Sequence, residues 1–385
     1  VAVGDLALSS NRTGNENVAV GRFALLGNQT GNDNVAVGRS ALSSNQTGND
    51  NVAVGWAALF SNQTGNDNVA VGSAALITNQ TGLSNVAVGT SALQNNQTGN
   101  DNVAVGWAAL RSNQTGENNV AVGTSALLNN RTGENNVAVG RFALLINQTG
   151  NDNVAVGRSA LFSNRTGENN VAVGREALRY NQTGNDNVAV GWTALLDNET
   201  GISNVAVGRF ALLKNQTGND NVAVGNNAGS HANTGFNNTI CIGANTTAND
   251  SNQIVMGNSI TTAYVPVAWT VSSDKRLKEN IKTMNDGLSF ITDLNPVTYN
   301  FINDSREKNT RMGLIAQEVY TSLNENQFTD VDIVSNNPTT GMLGLRYDDL
   351  IAPLISSVKQ LKEENNKMKE EIKNINMLLE KNKIK

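Results

Sequence analysis

The sequence predicts a mainly β protein built as a parallel β-solenoid or β-roll of 17-residue repeats, and three observations predict it. The tetrad Val-Ala-Val-Gly occurs fourteen times, from Val1, Val18 and Val35 to Val222, always at an interval of 17 residues. Each unit, as over residues 34–50, reads Asn-Val-Ala-Val-Gly-x-x-Ala-Leu-x-x-Asn-x-Thr-Gly-x-x, one short strand signal followed by turn chemistry. No proline occurs before Pro266, as a continuous hydrogen-bonded ladder requires.

Each element of the unit has a physical reason. Val-Ala-Val alternates with period two, so its two valines share one face of a strand. The Ala-Leu pair, such as Ala41-Leu42, supplies a second apolar patch after a glycine corner. Asn, Asp and Gly in the stretch that follows tolerate left-handed backbone. A unit with so few apolar residues cannot bury a core alone, whereas stacked copies can. At about 4.7 Å per coil, fourteen coils extend on the order of 65 Å. Two degenerate copies, Ile240-Cys241-Ile242-Gly243 and Ile254-Val255-Met256-Gly257, close the array with glycines 14 residues apart. The repeats resemble those of phage tail-fibre proteins and related bacterial surface proteins, and the closing spacing is similar to the β-roll heads of trimeric autotransporter adhesins. This resemblance covers residues 1–258, the expected shaft.

Composition excludes several chemistries. With 28 Lys+Arg against 33 Asp+Glu the net charge is −5, which argues against a nucleic-acid partner. Cys241 and His231 are the only residues of their kinds, so the chain holds no intrachain disulfide and no multi-histidine or cysteine-rich metal centre. Both are read as structural, and no cofactor or metal is expected. No apolar run reaches the roughly 18 residues of a membrane helix, so no membrane insertion is expected. The start at Val1 falls inside a repeat, which predicts a piece of a longer protein.

Thirteen Asn-x-Thr sequons recur at 17-residue spacing, from Asn11 and Asn28 to Asn198 and Asn215. They are formal glycosylation acceptors, but a ladder of Asn and Thr capping backbone groups is the preferred reading. The position after the tetrad glycine varies, and it carries Arg22, Arg39, Trp56, Trp107, Arg141, Arg158, Arg175, Trp192 and Arg209. Arg and Trp are frequent interface anchors, so this row is expected to pack against a neighbouring subunit, with host-surface glycan or receptor contact as the alternative. The shaft carries neither a calcium-binding Gly-Gly-x-Gly-x-Asp pattern nor a recurrent carboxylate pair of the glycosidase kind, and it is expected to be non-enzymatic.

Composition changes near residue 270: of 13 lysines only Lys214 precedes Lys275, and all four prolines lie at or after Pro266. Residues 259–272 read as a neck. The segment Ser273-Asp274-Lys275-Arg276-Leu277-Lys278-Glu279-Asn280-Ile281, with Met312-Gly313-Leu314-Ile315-Ala316-Gln317-Glu318-Val319 and Leu345-Arg346-Tyr347-Asp348-Asp349-Leu350-Ile351 further on, closely resembles the self-cleaving intramolecular chaperone at the C-terminus of phage tailspikes, tail fibres and endosialidases. The resemblance covers about residues 272–385. It implies a small α+β chaperone and auto-processing domain over 273–385, a homotrimer, and a single-turnover serine endopeptidase with Ser273 as nucleophile and Lys278 as general base.

A lysine can be that base only if its pKa falls from about 10.4 towards neutrality. Lys275 and Arg276 would favour such a fall, whereas Asp274 and Glu279 would oppose it. Without the resemblance, Ser273-Asp274 reads as a helix cap. The family pattern points to cleavage between Ser273 and Asp274. Attack by a serine on its own carbonyl would close a four-membered ring, so an acyl shift cutting Ser272–Ser273, or attack by another subunit's serine, stays open.

The chain ends in heptads from about 350 to 382, with Ile351, Val358, Asn365, Ile372 and Leu379 in one seam position and Leu354, Leu361, Met368, Ile375 and Asn382 in the other. This is a coiled-coil pattern that leans towards dimers by residue type, while the resemblance implies trimers. Pro353 is tolerable only near the helix start. Taken together, the sequence predicts a homotrimeric fibre segment of a virion or extracellular appendage whose C-terminal domain drives assembly and then releases itself. The shaft of a glycan-degrading tailspike with its catalytic domain elsewhere and a glycan-binding adhesin are the alternatives.

Overall fold

The computed structural model describes residues 1–230, 235–257, 273–300, 310–326, 328, 331–336 and 341–383. It comprises two compact units, Val1–Ala263 and Tyr264–Lys385. His231 and the expected neck at 259–272 lie outside the described residues.

The first unit is the predicted parallel solenoid. Strands β1 (Ala2–Val3) and β2 (Val18–Val20) through β14 (Val222–Val224), followed by β15 (Ile240–Ile242) and β16 (Ile254–Met256), form one sixteen-stranded sheet in chain order. Each strand pairs with the next in register, Val35 with Val52 and Ala36 with Ala53. The rest of the coil is bonded to its neighbours as well: Leu25 N donates to Ala41 O (3.0 Å), and Gln29 N donates to Gln46 O (3.0 Å). A 17-residue period therefore satisfies backbone groups around the coil and not only along one wall.

Period two leaves open which face of the strand is inside, and here the alanine face is the inner one. The tetrad alanines, from Ala19 to Ala223, have no exposed surface, and neither do Ala41, Leu42 and most of their counterparts. The valines face outward: Val37, Val88, Val105 and Val156 each stay 36–37% exposed. Cys241 takes the alanine position in β15, in register with Ala223 and Val255, and burial pushes its thiol pKa up.

Two buried asparagine ladders complete the core. Asn28 Nδ2 donates to Asn11 Oδ1 (2.8 Å) and to Gly31 O (2.9 Å), and the pattern repeats at Asn45, Asn62 and onward to Asn215. Asn34 Nδ2 donates to Asn17 Oδ1 (3.2 Å) and Gly48 O (2.8 Å), starting a second ladder just ahead of each strand. From Asn28 to Asn198 the sequon asparagines are fully buried, so their amides are occupied inside the folded coil. The ladder reading of the sequons is the one these bonds support.

Turn chemistry places Asp33, Asp50 and Asp67 in left-handed backbone, as expected. Leucine does the same without any sequence signal: Leu25 (φ 48) and Leu42 (φ 53) occupy the left-handed region in successive coils. That conformation costs about 1–2 kcal/mol for an L-residue, and complete burial of the leucine side chain contributes about 1.5–3 kcal/mol in return.

The tetrad glycine is required for a different reason. Gly106 has φ +133, and a Cβ there would lie 2.7 Å from Gly123 O in the next coil. Gly106→Ala is expected to lower shaft stability by about 1–3 kcal/mol from the backbone conformation alone, with the clash adding to it. Gly27→Ser serves as the control, because Ser44 and Ser61 occupy the same place in other coils. Thermal melts of the two variants followed by circular dichroism check this; equal melting temperatures would refute it.

The second unit is α+β. A 3₁₀ turn (Lys275–Leu277) leads to α1 (Gly287–Asp293), and β17 (Val297–Tyr299) pairs antiparallel with β18 (Arg311–Gly313). Helix α2 (Ala316–Glu325) follows, then β19 (Val334–Asn336) pairs with β20 (Leu343–Leu345), and a turn at Tyr347–Leu350 leads into α3 (Ile351–Lys383). Phe290, Val319, Leu323, Ile333 and Leu350 form the core. Pro353 sits in the first turn of α3, where no intrahelical amide is lost.

The second and third of the sequence motifs meet here, since Leu314 N donates to Tyr347 Oη (3.0 Å). Helix α3 turns its buried Pro353, Ser356 and Ser357 towards the start of the unit, with Ser356 Oγ donating to Met284 O (3.1 Å). Its heptad residues stay exposed, Leu354 at 46% and Val358 at 64%.

Candidate functional site

Ser273 and Lys278 are brought together by the short turn between them. Asp274 caps that turn by accepting from Arg276 N (2.9 Å), and the chain re-extends at Lys278 (φ −124, ψ 137). A five-residue separation thereby folds back on itself, and Lys278 Nζ donates to Ser273 Oγ at 2.7 Å. The cap expected of Ser273-Asp274 is present as well, but it is built by Asp274 alone and leaves the serine hydroxyl to the lysine.

Electrostatics around the pair are set by a second contact. Arg276 Nη2 lies 2.6 Å from Asp274 Oδ2, and Arg276 Nε reaches both carboxylate oxygens at 3.1 Å. The Arg276 guanidinium holds the Asp274 carboxyl below the usual carboxylate range, and Asp274 in turn raises Arg276. Asp274 and Arg276 therefore neutralise each other. Ser273 to Lys282 are all exposed within the single chain.

All nine residues of the shaft row, Arg22, Arg39, Trp56, Trp107, Arg141, Arg158, Arg175, Trp192 and Arg209, are exposed, as a row on the coil surface requires. Aromatic neighbours organise part of it, which spacing alone did not signal. The Arg209 guanidinium lies 4.5 Å from the Trp192 ring centre and 4.3 Å from that of Phe210, and Arg175 approaches Trp192 from the preceding coil at 5.9 Å. Arg22 and Arg141 stack on Phe23 and Phe142 in the same way. The Arg-Phe dipeptide recurring at 22, 141 and 209 was the available sequence signal.

Among the described residues, no group of His, Cys, Asp and Glu could hold a metal ion, and no helix is long and apolar enough to cross a membrane. No curated protein and no solved structure matches the chain. Residues 273–327 match the family described as the chaperone of endosialidase. The match begins at Ser273 itself, and the segment that carries the Ser273–Lys278 contact is therefore similar to the chaperone of endosialidase, joined here to a parallel β-solenoid.

Proposed function

We propose that the chain is a homotrimeric fibre segment of a virion or extracellular appendage, with a shaft over 1–258, a neck over 259–272 and an assembly domain over 273–385 that removes itself by Ser-Lys autoproteolysis. The observation that carries this reading is the 2.7 Å contact from Lys278 Nζ to Ser273 Oγ at the first residue of the chaperone match.

Two further features support assembly. The outward valines and the exposed α3 heptads are apolar surfaces that a single chain leaves in water. Helix α3 continues for 33 residues, most of it without cover from its own unit, as a coiled-coil strand would. The Arg and Trp row is assigned to subunit packing ahead of glycan contact because it borders the valine face.

Exposure of the dyad in the single chain supports one order of events. Desolvation by neighbouring copies would lower the Lys278 pKa, so cleavage follows trimerisation. Neutral Lys278 takes the Ser273 hydroxyl proton, and the oxygen attacks a carbonyl carbon, giving an ester and freeing the amine that was the amide nitrogen. Water then hydrolyses the ester. For the Ser273–Asp274 bond, the attacking hydroxyl is that of Ser273 in a neighbouring copy, which avoids a four-membered ring. An acyl shift within one chain would instead cut Ser272–Ser273.

Sedimentation combined with intact mass of the freshly expressed chain tests the proposal. A trimer that releases a fragment beginning at Asp274 is expected, and a fragment beginning at Ser273 identifies the acyl shift. A monomer, or a trimer that stays uncut, overturns the corresponding half of the proposal.

A further inference from the structure

The valine strip has differently charged borders. Two or three residues before each strand stands a corner that carries Glu16, Asp33, Glu134, Asp152 and Glu168, and two residues after each strand stands the arginine row. Five of the six arginine-bearing strands have a carboxylate at the opposite corner: Arg22 with Glu16, Arg39 with Asp33, Arg141 with Glu134, Arg158 with Asp152, and Arg175 with Glu168. The exception is Arg209, which stands opposite Ser203.

Both borders are exposed, and a strand separates them. Among the described residues, none of these five carboxylates makes an ion pair within the chain, and neither do Arg39, Arg141 and Arg158. Arg22 and Arg175 are paired locally, with Asp5 and Glu176.

We infer that the valine strips of neighbouring copies pack in parallel and in register, the acidic border of one copy lying against the arginine border of the next. This inference rests on the homotrimer proposed above and specifies its interface. Copies related by rotation about an axis along the coil stack bring each acidic border to a neighbour's basic one. Antiparallel copies bring acid to acid and base to base, which like-charge repulsion disfavours.

The strip is also large enough. Fourteen strands at about 4.7 Å by three residues at about 3.3 Å give on the order of 650 Å² per copy. Over the three copies of a trimer this is on the order of 1,950 Å² in total, within the roughly 1,200–2,000 Å² of a stable specific interface. The valines supply the apolar contact, and the border charges, being at the rim, fix direction and register more than affinity.

Zero-length carbodiimide coupling, which joins a carboxylate to an amine as an amide with loss of water, tests this on the full chain. Lys214 is the only lysine before Lys275, so the shaft is nearly silent to the reagent. The R158K variant is expected to give covalent dimers and trimers in denaturing gels, and peptide mass mapping is expected to find position 158 joined to Asp152 of another copy. The R158K/D152N double variant should fall back to the background of the unsubstituted chain. A trimer in sedimentation without the 158–152 link, or one linked to a carboxylate at another level of the shaft, overturns the inference and leaves the trimer standing. A chain that sediments as a monomer overturns both.

Discussion

Lys278→Met is expected to slow release of the C-terminal fragment by roughly 10²–10⁴-fold, the usual contribution of a general base, and Ser273→Ala to stop it. Both side chains are exposed and contribute nothing to the core of their unit, so assembly should persist in both variants. A gel time course with intact mass reads cleavage, and sedimentation reads assembly. Cleavage of Ser273→Ala at the unsubstituted rate would refute the dyad.

The pH dependence has a definite sign. Only the neutral amine accepts a proton, so the rate rises with pH until the lysine in the assembled site is deprotonated. Arg276→Ala removes the partner that holds the Asp274 carboxyl low and cancels its charge. The freed carboxylate then favours the Lys278 ammonium. Cleavage at neutral pH should slow, and the rising limb of the profile should move to higher pH.

The second large effect is expected in the shaft. Asn113 is fully buried; its Nδ2 donates to Asn96 Oδ1 (2.8 Å) and Gly116 O (2.9 Å), and its Oδ1 accepts from Asn130 Nδ2 (2.9 Å). Asn113→Asp keeps the shape and replaces the donor by an oxygen facing two acceptors. Such a buried, uncompensated carboxylate costs about 3–5 kcal/mol.

Burial raises the folded-state pKa of the introduced carboxyl above its unfolded value, so the folded form binds the proton more tightly. Stability therefore falls as pH rises above about 4, by about 1.4 kcal/mol per unit, until the folded-state pKa is passed. At low pH the protonated group donates again to one acceptor, and the shaft recovers. Melting at pH 4.5 and 7.5 should show the variant closest to the parent at the lower pH. Gln114→Glu, at an exposed position where another coil carries Glu199, should change little at either pH. Equal melting of Asn113→Asp and its parent at pH 7.5 would refute the ladder's role.

Much of the shaft was legible because its signals are local and repeated. Val35, Ala36 and Val37 announce a strand, and their recurrence after 17 residues announces the stacking partner. Which face is inside was not legible: alternation groups Val35 with Val37 but does not say that the face carrying Ala36 is the one turned inward. Leu42 in left-handed backbone contradicts its intrinsic preference, and only the assembled coil makes that conformation worthwhile. The Asn34 ladder was visible as an asparagine before each strand from β2 to β14, yet its bond to a carbonyl 14 residues on depends on coil geometry. In the second unit, Ser273 and Lys278 carry no chemistry by spacing alone, since a regular α-helix does not place residues five apart on one face. Their contact needs the Lys275–Leu277 turn, and the resemblance to known chaperones stood in for that geometry.

Interchangeable coils also bear on how such a gene changes. Removing or duplicating one whole unit rejoins surfaces that already fit, because Val52 offers Val69 what Val35 offers Val52. Loss or gain of a whole repeat, which would ruin most globular domains, here alters reach in steps of about 4.7 Å. Length becomes a heritable variable that selection can tune without redesigning a single contact.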